Sequence, residues 1–191
     1  MGIHMITEQV EDIARSLLLR TPVRDPQELS RALAAELTHL NLIGFDEFAH
    51  NIDFSHMISA LTQDSSASLS IDVAISGDIP GFFINKIRIE TLFYNLLRSC
   101  MFAGATKVEI RCLNLLERWE FSVWDDGRSL SPQARSALLS SAYEVTKEGE
   151  LRVGEVSLFI ASQIVGFYEG NISIAPADDD GSKTTFFIPK E

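Results

Sequence analysis

The chain has 191 residues, 46% of them hydrophobic and 23% charged, enough for one well-packed core with at most a short helical extension. No apolar run approaches the ~20 residues a membrane-spanning helix needs, so no membrane span is expected, and no secretory signal is evident. A formal charge of −11 disfavours nucleic acid, whose binding rests on Lys and Arg contacts to phosphate, and points to protein partners.

Met1-Gly-Ile-His4, followed by a second methionine, reads as a cloning remnant, and His4 is set aside. From Ile6 to Arg20, Val10, Ile13, Ala14 and Leu17 recur at helical spacing. Asp25-Pro26 supplies an N-cap and a first-turn proline for a second helix, with Leu29, Leu33, Leu37 and Leu40 as its stripe. Two helices with a short loop predict an antiparallel hairpin within residues 5–52, a surface suited to homodimer formation. A further helix is expected over Phe45 to Leu61, with Phe48, Ile52 and Ile58 inward.

From Leu69 the pattern changes to a strand, Leu69, Ile71, Val73 and Ile75 alternating with polar residues before a turn around Gly77 and Pro80-Gly81. Ile89 to Gly104 then reads as a helix with Leu92, Phe93, Leu96, Leu97, Cys100 and Met101 apolar and Asn95 set beside them. Strands over Lys107 to Leu115 and Trp119 to Trp124 form a hairpin about Glu117-Arg118. A short helix follows Pro132, a loop runs from Tyr143 to Arg152, and Val156 to Val165 is helical. Strands at Asn171 to Ile174 and Thr184 to Ile188 close the chain. Cys100 and Cys112 lie in stretches that read as buried, without CxxC or a Cys/His cluster, as expected of reduced core thiols in a cytoplasmic protein. No metal-ligand spacing stands out.

Asn95-Leu-Leu on a helix followed by a strand resembles the N-box of the histidine-kinase-like ATPase superfamily, whose fold is also called the Bergerat fold. Asp125-Asp-Gly127-Arg-Ser129 resembles its first glycine box, Gly149 to Gly170 its second with the following helix, and Gly181 to Pro189 its terminal strand, all in order. The resemblance implies an α+β chain: the N-terminal helical hairpin, then a Bergerat-type α/β sandwich over 53–191, a mixed sheet covered by helices on one face. It also implies that Asp125 accepts a hydrogen bond from an adenine amino group and that Asn95, Asp125 and Gly127 are the remains of a nucleotide site. Where the family places a magnesium-chelating asparagine, this chain has Ser99, and Phe102 stands at the position of a phosphate-binding lysine. Ser129 replaces a glycine, and Val153-Gly154-Glu155-Val156-Ser157 would set a negative charge in the phosphate loop. ATP and magnesium binding are therefore expected to be lost, leaving no cofactor.

A phosphorelay histidine needs an exposed imidazole on a helical hairpin, ordinarily beside an acidic residue. His39, with Glu36 one turn earlier, is the phosphoacceptor candidate; His50 and His56 fit less well. The expectation is a non-kinase two-component signalling protein that binds a sensor kinase or response regulator, with histidine phosphotransfer as its sharper form. The alternatives are a nucleotide-binding kinase or ATPase with an unusual phosphate loop, and an anti-sigma-like protein binder.

Overall fold

Period-two alternation builds the sheet. In the computed structural model, residues 49–63, 72–77, 82–130, 153–177 and 181–190 are described. The expected hairpin up to residue 48, His39 included, and the short helix after Pro132 lie outside these residues. The described elements are β1 (Ala49–Ile52), α1 (Phe54–Gln63), β2 (Asp72–Gly77), β3 (Phe82–Asn85), α2 (Lys86–Phe102), β4 (Lys107–Asn114), β5 (Arg118–Asp125), α3 (Val153–Phe167), β6 (Asn171–Pro176) and β7 (Ser182–Pro189). Five strands form one mixed sheet in the order β2-β4-β5-β7-β6, parallel only between β2 and β4. β1 and β3 form a separate antiparallel pair.

Every second residue of the central strands faces the helices. Val108, Ile110 and Cys112 on β4, Phe121 and Val123 on β5, and Phe186 and Ile188 on β7 are buried with Leu92, Phe93, Leu96 and Leu97 of α2 and Ile160, Ala161, Ile164 and Val165 of α3. Phe93 is the hub: its ring lies 4.8 Å from that of Phe54, 5.3 Å from Phe121 and 5.8 Å from Phe186, in edge-on and tilted geometries that suit aromatic quadrupoles. The result is the expected mixed sheet with helices packed on one face, an α+β sandwich.

Three local expectations change. The helix expected over Phe45 to Leu61 is instead a strand followed by a helix: residues 49–52 pair with β3, and the Asp53 carboxylate accepts the His56 N–H at 3.0 Å, an N-cap that starts α1 one residue later. The strand β3 was not foreseen, since three apolar residues followed by the Asn85 helix cap carry no alternation of their own. The helix expected from Val156 begins at Val153, so the backbone of Val153-Gly154-Glu155-Val156 is helical rather than an open loop. Leu158, Ala161, Ile164 and Val165 anchor that helix in the core.

Candidate functional site

The site is built where the C-terminal end of α2 meets the C-terminal end of β5. The Asn85 side chain caps α2 by accepting the Arg88 N–H at 3.0 Å, and the helix stops at Gly104, whose φ of +83° is a left-handed conformation that glycine adopts without strain. The Ala105 N–H bonds back to the Cys100 carbonyl and the Gly104 N–H to that of Met101, the paired bonds of a Schellman end. This fixes where Cys100 lies relative to the start of β4.

Asp126 joins the same corner from the other side. Its carboxylate accepts the N–H of Thr106 at 2.7 Å, the Thr106 hydroxyl at 2.8 Å and the N–H of Lys107 at 2.9 Å. These donors, the Lys107 and Thr106 groups, hold the exposed acid down at a pKa of about 2. The Arg128 N–H then bonds the Ala103 carbonyl at 2.9 Å, tying the chain after β5 to the end of α2.

Asp125 shares the strand parity of Phe121 and Val123 and therefore points to the helix-covered side. Its Oδ1 accepts the Gly127 N–H at 2.9 Å, and the Cys100 thiol is the second group that favours its charged form. Burial pushes the Asp125 pKa up, opposed by these two groups. Burial also pushes the Cys100 thiol well up, with the Asp125 charge adding to the effect, so it stays a thiol and a donor at neutral pH. Gly127 sits in a tight place: a Cβ there would lie 2.9 Å from Asp125 Oδ1 and 3.0 Å from both the Ala103 Cβ and the Ala105 nitrogen, so these neighbours would have to shift.

Asn95 is fully buried on α2, and its amide bonds within its own helix. Nδ2 donates to the Thr91 carbonyl at 2.8 Å, one turn back in the same helix, and Oδ1 has no hydrogen-bond partner among the described residues. Phe102 is 47% exposed, with the Arg98 guanidinium 5.4 Å from its ring centre. Ser129, which stands where the family has a glycine, has a partner: its hydroxyl donates to the Gly181 carbonyl at 2.6 Å, bolting the segment after β5 to the entry of β7. Asp125 and Gly127 are thus brought together with Cys100 and Ser129, whereas Asn95 is turned into the α2 turn behind it. Cys100 was read as a core residue, and the signal that could have found it was its place on the helix face that must cover the inward end of β5. His56 is exposed on α1, and among the described residues no three His, Cys, Asp or Glu side chains cluster as metal ligands would.

Residues 84–191 match the sequence model of the family described as histidine kinase-, DNA gyrase B-, and HSP90-like ATPases, a span of more than half the chain. The chain belongs to that family. The nucleotide-free catalytic domain of histidine kinase ThkA superimposes with a TM-score of 0.59 at 19% identity, covering 74% of this chain and 95% of that one. The ATP binding domain of PrrB from Mycobacterium tuberculosis gives a TM-score of 0.55 at 15% identity over 76% of this chain and 99% of that one. Full-length ShkA in complex with AMPPNP, also at a TM-score of 0.55 and 15% identity, covers 99% of this chain and 46% of its own length. At such identities the likeness is one of fold. No curated protein matches the chain. Among the described residues no helix is long and apolar enough to cross a membrane.

Proposed function

We propose that this family member works in two-component signalling without kinase chemistry, as a cytoplasmic protein that binds a sensor kinase or response regulator through its surfaces. The histidine-kinase character of its family and structural neighbours supports the signalling context. The observation that carries the loss of kinase chemistry is the end of α2. Where magnesium and phosphate would need a second amide and a cation, Ser99 and an exposed Phe102 stand. Asn95 Oδ1 alone is a poor magnesium ligand set, since that ion demands near-octahedral oxygen coordination with several charged or water ligands. Each missing charge-assisted contact is worth roughly 1.5 to 3 kcal/mol, so losing two or three moves a micromolar site towards millimolar or weaker. The residues present therefore do not fit Mg·ATP, and no step is routed through it.

In its sharper form the protein is a histidine phosphotransferase, with a dimerising N-terminal hairpin that presents His39 to a phosphorylated response regulator. The hairpin expected from the leucine stripe of residues 29–40 supports this. Calorimetric titration with ATP and magnesium tests the first step: no heat is expected up to millimolar nucleotide, and micromolar binding overturns the reading. Phosphotransfer from a phosphorylated regulator then tests the second, His39→Ala abolishing acceptance if His39 is the acceptor.

A nucleotide-binding reading is favoured by one observation, the Asp125 and Gly127 pair, which retains a carboxylate at a strand end beside a glycine with no room for a side chain. It predicts that Asp125→Asn weakens nucleotide binding at least about tenfold, the worth of a charged hydrogen bond, and equal affinities overturn it.

A further inference from the structure

Two polar atoms on neighbouring helices, Asn95 Oδ1 on α2 and Ser157 Oγ on α3, have no hydrogen-bond partner among the described residues, and both residues are at 0% exposure. Native proteins pair nearly all such atoms, because an unmade bond there forfeits hydration with nothing in return. Their chemistry is complementary: Asn95 commits Nδ2 to the Thr91 carbonyl at 2.8 Å and keeps Oδ1 as an acceptor, whereas a serine hydroxyl both donates and accepts. The Arg88 guanidinium, 3.8 Å from the centre of the Phe167 ring, sets the start of α2 against the end of α3, so these packed neighbours run antiparallel. Counted from that anchor at about 1.5 Å per residue, Asn95 comes at roughly 10 Å and Ser157 at roughly 15 Å, within one turn of each other. Asn95 shares a helix face with Leu92, and Ser157 with Ile160 and Ala161, all in the common core.

We propose that Asn95 Oδ1 and Ser157 Oγ together form a buried site for one water molecule that bridges α2 and α3. Water is the ligand this pair selects. It donates to the amide oxygen and shares a bond with the hydroxyl, and the Thr91 carbonyl, which has a second lone pair, offers a third partner, a buried water making about three bonds. A divalent cation is selected against: two neutral oxygens supply neither the charge nor the number of ligands it needs, and among the described residues no three His, Cys, Asp or Glu side chains group together. The inference goes beyond the proposed function and concerns the chain without nucleotide, where it gives the buried amide the task of joining two helices.

The test is a double-mutant cycle in urea unfolding of the full chain with Asn95→Leu and Ser157→Ala, each of which removes one side of the bridge. A shared water makes the two changes non-additive, since once one partner is gone the second substitution costs little. The unfolding constant of the double variant is expected to favour the fold about fivefold or more beyond the product of the single effects. Additive effects, or single variants that each stabilise the fold as removal of an unpaired atom would, overturn the bridge. Nuclear magnetic resonance keeps it open to test should Asn95→Leu fail to fold. The Asn95 side-chain amide of the unmutated protein is expected to show an Overhauser cross-peak to water with the sign of a long-lived buried molecule, and Ser157→Ala to lose it. No such peak in the unmutated chain, or one unchanged in S157A, overturns the bridge, and broadening of that amide by micromolar manganese overturns the choice of water by assigning the site to a cation. Micromolar binding of Mg·ATP breaks the non-kinase reading instead, whereas the cycle, run without nucleotide, decides the bridge by itself.

Discussion

The middle of α2 and its C-terminal end touch the same sheet by different physics. At Phe93 the contacts are apolar on every side: Phe54, Phe121 and Phe186 surround the ring, with Phe121 and Phe186 stacked 5.0 Å apart and 15° from parallel. About two turns on, the end of the helix meets the end of β5 in a polar corner tied by Asp126, Gly127 and Arg128. The first region is held by area and packing, which act over a whole surface and are indifferent to pH. The second is held by direction and charge, so a single atom there can be felt. A fold that loses a ligand can keep the first region and rewrite the second.

The largest effect should come from breaking the aromatic centre. Phe121→Ala removes a ring at 1% exposure that touches Phe54, Phe93 and Phe186. A loss of about 3 to 5 kcal/mol is expected, transfer plus cavity, measured by urea unfolding. That is much of the stability of an ordinary domain. A loss below about 1 kcal/mol would mean the centre collapses freely around the gap and is not the packed hub described.

The two neighbouring aspartates sharpen the contrast. Asp126 has its folded pKa lowered from 3.8 to about 2 by the Lys107 and Thr106 donors, so its staple stabilises the fold fully above pH 3.8. That contribution is lost as the pH falls from 3.8 through about 2. Asp125 runs the other way: burial raises its folded pKa, so the ionised form is a burden that appears as the pH rises from 3.8 through the raised value. Thermal unfolding between pH 2 and 7 separates them. Asp126→Asn should lower the melting temperature at pH 7 and flatten the acid limb, while Asp125→Asn, which keeps an acceptor for the Gly127 N–H, should not lower it at pH 7. An unchanged acid limb in Asp126→Asn would remove the staple from this account.

Much of the first region was legible in the sequence, and little of the second. Alternation through Val108, Ile110, Phe121, Val123 and Phe186 gives the inner face of the sheet, and the same parity turns Asp125 towards the helices. The apolar spacing of α2 and α3 is equally local. By contrast β1 and β3 are each four residues long and exist because they pair, a tertiary fact with no periodic trace. Asn95 bonding to Thr91 rather than to a strand, and Ser129 reaching Gly181, depend on side-chain directions that spacing does not encode. The four ordered motifs disclosed the family because residue identity and order, such as Asn95-Leu-Leu on a helix or glycine at 127 in its tight place, are what a sequence records directly.

The smallest effect is expected farthest from both regions, at the turn between β4 and β5. The three-residue loop Leu115-Leu116-Glu117 lacks the Asn-Gly or Asp-Gly usual in tight hairpins, and the Leu115 N–H bonds the Arg118 carbonyl at 3.0 Å to close it. Lys190 supports the turn instead, its ammonium bonding the Asn114 side chain and the Leu115 carbonyl while lying 4.2 Å from the centre of the Trp119 ring. Leu116 stands outside this arrangement at 92% exposure, so it removes almost no apolar area from water. Leu116→Ser should therefore leave the unfolding free energy within about 0.5 kcal/mol of the unmutated value in the same urea experiment. A drop well beyond that would mean the leucine is covered in solution, and analytical ultracentrifugation of both proteins would then show whether a second copy of the chain covers it.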